Sequence, residues 1–186
     1  MKLAKMLSSS ANKYDINKLI NDCSNKVFDK LLKTQSDNVI VSGADLMMSI
    51  IMLYLGSNGE TQKEIQQCFN LTYDKNWLNT VCKDFINSVS ELQIDSMILI
   101  NPTTVINSTY KEVLMDMFNT KIISISNKLT DTVELLNSTW IKNKFKWQLS
   151  DLVSITNLNS PFMMLVNSVY LKIAWAHRFK IEYTIT

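Results

Sequence analysis

Apolar residues recur at helical spacing through Leu19, Ile20, Cys23, Val27, Leu31 and Leu32, predicting a first packed helix behind a polar lead-in over 1–16. Asn38-Val39-Ile40-Val41 is a β-branched run halted by Ser42-Gly43, the pattern of a short strand entering a turn. Leu46, Met47, Ile50, Ile51, Leu53, Tyr54 and Leu55 are apolar around almost the full circumference of a helix, so that helix is expected to be buried. At about ten residues it is too short to cross a bilayer. Gly56 stands where a helix takes a left-handed terminal residue, Ser57-Asn58-Gly59 supplies a turn, and Thr61-Gln62-Lys63-Glu64 has capping-box spacing. Trp77 to Leu92 is a second amphipathic candidate, with Leu78, Val81, Cys82, Phe85 and Val89 on one side. Ser96 to Asn101 reads as a strand and Tyr110 to Phe118 as a helix. Met163 to Leu171 is a strand with a nearly continuous apolar sequence, which predicts burial on both faces. No repeat, linker or charge block divides the chain, so residues 17–186 are expected to form one α+β domain.

Composition narrows the function. With 46% apolar residues, 3 Gly and 2 Pro in 186, the chain has the makings of a packed core. A net charge of +2 argues against nucleic acid or an anionic membrane as the main partner. Lys142-Asn143-Lys144-Phe145-Lys146-Trp147 alternates basic and aromatic residues. On a helix Lys142 and Lys146 share a face that Lys144 does not, so the stretch reads as a solvated helix end. The single histidine, His177, and the lack of a Gly-x-Ser-x-Gly elbow leave no nucleophile system, and no catalytic residue is assigned. Three glycines are too few for a phosphate loop.

Cys23, Cys68 and Cys82 are odd in number and lack a Cys-x-x-Cys pair, which argues against a disulfide framework or zinc site and suits a reducing compartment. No metal or cofactor is expected. The apolar stretch Leu3 to Leu7 is broken by Lys5 and is too short for a signal-peptide core, so a cytoplasmic location is favoured, with an extracellular one as the alternative. Asn70-Leu71-Thr72, Asn107-Ser108-Thr109 and Asn137-Ser138-Thr139 are glycosylation acceptors should the chain enter a secretory lumen; in an asparagine-rich chain such triplets also arise by chance.

Two separated blocks resemble the serpin family. Asn38, Ser42, Leu55, Gly56, Gly59, Glu60 and Thr61 match its Asn, apolar run, Ser-Pro, buried helix and Leu-Gly-x-x-Gly-x-Thr. Leu165-Val166-Asn167-Ser168-Val169-Tyr170-Leu171-Lys172 with Trp175 and Phe179 is similar to its Leu-Val-Asn-Ala-x-Tyr-Phe-Lys-Gly-x-Trp-x-x-x-Phe. Leu135 to Leu152, with Trp140-Ile141 and Leu149-Ser150-Asp151-Leu152, resembles the family's helix that crosses its main sheet. Gly43 and Arg178 replace the usual Pro, Asp45 a small hydroxyl residue, Ile173 Gly, and Phe145, Trp147 and Gln148 the usual Thr, Gly and Lys. The asparagine, isoleucine and lysine usage resembles serpins of large DNA viruses such as poxviruses, which dampen host proteases.

The resemblance implies a serpin-like α+β fold, incomplete relative to the family, with amino-terminal helices packed on part of a mainly antiparallel central sheet. It also implies inhibition of a serine or cysteine protease by a bait loop that is cleaved and inserts into that sheet. The bait residue and its loop lie in the half of the family's length that has no counterpart here. The chain is therefore expected not to inhibit alone; the alternative is a non-inhibitory binding or decoy protein, or the product of a decayed gene. A half-built sheet leaves an apolar edge that invites self-association.

Asn167 in the buried strand is either a core amide bonded to neighbouring backbone or, by the resemblance, a member with Ser42 of the polar cluster called the shutter. Asp45 would place a carboxylate near that cluster, pointing away from it or loosening it. Trp175 is either packing or, by the resemblance, part of the breach where loop insertion begins.

Overall fold

The computed structural model describes residues 2–88, 92–125, 128–141 and 163–177, with side chains described for 15–88, 92–125, 128–138 and 163–177. Helix α1 spans Lys2–Leu32, without an interrupting glycine or proline. The expected lead-in over 1–16 is thus helical from Lys2, and Ile16 is buried in the core beside Leu19 and Cys23. Residues 38–41, expected as a strand, have no regular structure, and Ile40 is 96% exposed. A strand exists only with a ladder partner, and no described strand lies beside this segment.

Helix α2 (Gly43–Gly56) is buried as its sequence predicts, through Met47, Met48, Ile50, Ile51, Met52 and Tyr54, with Leu53 the exposed exception. It packs on α1 at Gly43, where a Cβ would lie 2.5 Å from the Ser24 Cβ and 2.9 Å from the Ile20 carbonyl oxygen. Gly56 is not a left-handed cap: the next residue, Ser57, ends the helix in extended conformation. The reason for glycine there is a close approach, since a Cβ would fall 2.5 Å from Cζ of Tyr110, whose hydroxyl donates to the Met52 carbonyl at 2.8 Å. Lys75 Nζ donates to the carbonyls of Leu55 (3.1 Å) and Ser57 (2.9 Å), satisfying acceptors at the end of α2.

Helix α3 (Gly59–Phe69) starts before the expected capping box, with Asn58 at its N-cap, so Thr61 lies inside the first turns. Helix α4 (Lys75–Ser88) begins at Asp74, whose Oδ1 accepts from the backbone N–H groups of Asn76 and Trp77, both at 2.9 Å. Leu78, Val81 and Cys82 of α4 are buried, whereas the expected Val89 lies outside the described residues.

Strands β1 (Leu92–Ile100), β2 (Lys121–Ser124) and β3 (Met163–Leu171) form a sheet in the order β2-β1-β3. Helix α5 (Ser108–Phe118) connects β1 to the parallel β2, and β3 runs antiparallel along all of β1, so the described sheet is mixed. Each face meets its own core. Ile98, Met163 and Leu165 pack with α1, α2, α4 and α5, while Met97, Leu99, Met164 and Val166 pack with Leu136, Leu129 and Val133 of α6 (Leu129–Glu134) and the π-helical turn Leu135–Ile141 that continues it. Two covered faces explain why β3 reads as continuously apolar. Its residues are nonetheless only half-buried, because β3 is the last strand of the described sheet. Of the expected crossing helix, 142–152 lies outside the described residues, as do the basic-aromatic stretch 142–147 and Arg178 and Phe179.

Candidate functional site

Ser42, Asp45 and Ser49 follow one another at spacings of three and four, which stacks them along one side of the start of α2. On β3 the two-residue period that turns Met163 and Leu165 toward the α2 core also turns Asn167 there. A relay of hydrogen bonds follows. The Asp45 backbone N–H donates to Ser42 Oγ at 3.3 Å, Ser49 Oγ donates to the Asp45 carbonyl at 2.9 Å, and Asn167 Nδ2 donates to Ser49 Oγ. Ser49 is the joint between helix and strand. Its spacing from Asp45 places it on the same side of α2, but the sequence does not show that β3 reaches it.

The site is short of donors. Ser49 has one hydroxyl proton, already given to Asp45, and the buried Asp45 Oδ1 and Asn167 Oδ1 meet no donor among the described residues. Burial accordingly pushes the Asp45 carboxyl above its ordinary value of 3.8. Ser42 is exposed and acts as the N-cap of α2, touching the relay only through the Asp45 backbone. Asn167 faces Ser96 of β1 in the ladder, and Ser96 is itself buried.

The other singled-out residues lie apart from this relay. Trp175, past the end of β3, is 72% exposed, where the expectation from sequence was packing or a place at the breach. Asn70 is exposed in left-handed conformation at the end of α3, and exposed Asn107 caps α5 by accepting from the Tyr110 N–H at 3.2 Å. Asn137 is buried in the π-helical turn, which leaves no room for a glycan on it in this arrangement. Cys23, Cys68 and Cys82 are free thiols, Cys82 pushed up to about 12 by burial. Among the described residues no group of three metal-ligating side chains assembles, and no helix is long and apolar enough to cross a membrane. His177 is exposed.

The relay joins the two blocks of sequence that carry the serpin resemblance, and comparison with known proteins bears on the same point. The family model described as serpin (serine protease inhibitor) matches residues 18–186. Glia-derived nexin of Rattus norvegicus is 27% identical over 186 residues, covering 95% of this chain and 46% of the relative. A serpin-like protein of Acanthamoeba polyphaga mimivirus is 25% identical over 152 residues, covering 78% of this chain and 36% of that protein. Among solved structures, native protease nexin-1 with heparin superposes with a TM-score of 0.81 at 21% identity, covering 91% of this chain and 48% of that one. Cleaved Serpin 42Da gives 0.84 at 21% identity over 94% of this chain and 48% of that one; these two likenesses bear on the fold alone. The chain thus spans about half the length of the curated relatives it matches. With the matched region covering both blocks, the strand, the buried helix and the polar joint between them, this chain belongs to the serpin family.

Proposed function

We propose that the chain supplies the amino-terminal half of a serpin-type inhibitor of a serine or cysteine protease, with β3 bordering the place where a cleaved bait strand is taken up. The observation that carries this reading is the edge of β3. Among the described residues it is paired with β1 on one side and with no strand on the other, and Asn167 ties it to α2. An unpaired row of N–H and C=O groups is what an inserted strand requires. In this reading Ser42, Asp45 and Asn167 belong to the contact that holds the sheet until insertion, and Trp175 stands at the end of β3 where insertion starts. In this reading no bait is assigned within residues 1–186, and trapping a protease requires one to be supplied. A serpin-like relative is found in Acanthamoeba polyphaga mimivirus, and in this reading a viral member of the family would act on proteases of its host.

A second reading, a non-inhibitory binding or decoy protein, is favoured by Asp45, whose buried oxygen lacks a donor at the joint that insertion depends on. The test is incubation with serine and cysteine proteases, with and without a separately supplied carboxy-terminal serpin polypeptide, followed by denaturing electrophoresis. A detergent-stable adduct only in the complemented sample supports the inhibitor. An adduct from the chain alone contradicts the division of roles, and none in either sample supports the decoy.

A further inference from the structure

We propose that Asn58-Gly59 is a self-modification site, at which the folded chain converts Asn58 to aspartate and isoaspartate without an enzyme. The chemistry needs a backbone nitrogen free to attack the preceding asparagine side chain. Gly59 is the first residue of α3, where N–H groups have no partner within the helix, and among the described residues no hydrogen bond engages its N–H or the Asn58 side chain. Both residues are exposed. Closing the ring requires Asn58 ψ to rotate from its 169°, at the cost of the long 3.5 Å hydrogen bond that the Asn58 carbonyl accepts from the Gln62 N–H. A Cβ on Gly59 would meet nothing within 4 Å, and its φ of 62° is one that glycine adopts without strain.

The positive end of α3 also helps. It stabilises negative charge on the deprotonated Gly59 nitrogen and on the oxygen of the tetrahedral adduct. The electron pair of that nitrogen forms a bond to Asn58 Cγ, the Cγ–Nδ2 bond breaks, and ammonia leaves with the proton released from the Gly59 amide. Water then opens the cyclic imide at either carbonyl. One product is aspartate and the other isoaspartate, whose main chain is one carbon longer. No oxidant or reductant is involved. The new carboxylate lowers the formal net charge from +2 to +1 and sits at the N-cap of α3, in the groove that Asn58 shares with Lys75.

Asn87 serves as an internal control. It is exposed and followed by Ser88, but its amide donates to the Lys83 carbonyl at 2.9 Å. The protein is incubated in mildly alkaline, ammonia-free buffer made with oxygen-18 water, and its peptides are mapped by mass spectrometry with fragmentation that separates aspartate from isoaspartate. Asn58 is expected to convert about tenfold faster than Asn87, with oxygen-18 incorporated and isoaspartate present, and an Asn58→Ser chain should lose the new charge variant. The folded rate should lie within about tenfold of that of the urea-unfolded chain. Equal rates at Asn58 and Asn87, or protection of Asn58 by more than about tenfold in the folded state, would overturn the proposal.

Discussion

The side-chain amide of Asn167 donates to the hydroxyl of Ser49 across a sequence separation of 118, joining the late strand to the early buried helix by a side-chain hydrogen bond. Removing it should be measurable. Ser49→Ala leaves the half-buried Asn167 amide without its acceptor and is expected to cost about 1–2 kcal/mol in chemical denaturation. A Ser49→Ala, Asn167→Ala pair should cost less than the sum of the two single variants by about 0.5–1.5 kcal/mol, the signature of a direct contact.

Asp45 sets a pH dependence whose sign follows from its environment. Burial raises its folded carboxyl above 3.8, the value of an unperturbed aspartate and the reference for the unfolded chain, so the folded state binds the proton more tightly. Its contribution to stability is therefore fully present below that unfolded value and is lost as pH rises through the raised folded value. Asp45→Asn should flatten this part of the stability profile and stabilise the protein at neutral pH. Asp45→Ser, which restores a small hydroxyl, should also raise the melting temperature there; an unchanged value would mean that the carboxylate does not loosen the joint.

Lys75 and Lys63 make opposite predictions from similar chemistry. Lys75→Met strips the carbonyls of Leu55, in the last turn of α2, and Ser57, just past it, of their Lys75 donor and should cost about 1–3 kcal/mol. Lys63 pairs with Glu60 in solvent, with side chains 63% and 82% exposed, and Lys63→Met should change stability by less than about 0.5 kcal/mol.

Gly43 tests the approach of α1 to α2. A Cβ there meets the Ser24 side chain and the rigid Ile20 carbonyl, so Gly43→Ala should cost about 1–3 kcal/mol by overpacking. Ser24→Gly should restore part of the loss, because it removes the nearer obstacle and leaves the carbonyl.

The elements read correctly from sequence were those long enough to show a clear apolar run or period. Helix α2 is apolar almost all round and is buried, and β3 is a nearly continuous apolar run, so each declared its type. Strand β2 was missed because four residues, two of them exposed, are too few to show a period. Residues 38–41 have strand composition, but pairing is a tertiary fact that composition does not contain. The glycines misled for a related reason: Gly56 was read as a left-handed cap when its role is to admit the Tyr110 ring. At the site, Asp45 and Asn167 stood out as polar residues in apolar surroundings. Ser49 did not, because serine at a half-buried helical position is ordinary until the strand that reaches it is known.

The meeting of Ser49 and Asn167 in one interior is tested most directly by nuclear Overhauser contacts in isotope-labelled protein. The Asn167 side-chain amide protons are expected to show cross-peaks to the Ser49 β-protons, together with contacts between Leu165 and the α2 core. A well-dispersed spectrum in which the Asn167 amide contacts only its own strand and β1 would contradict the account.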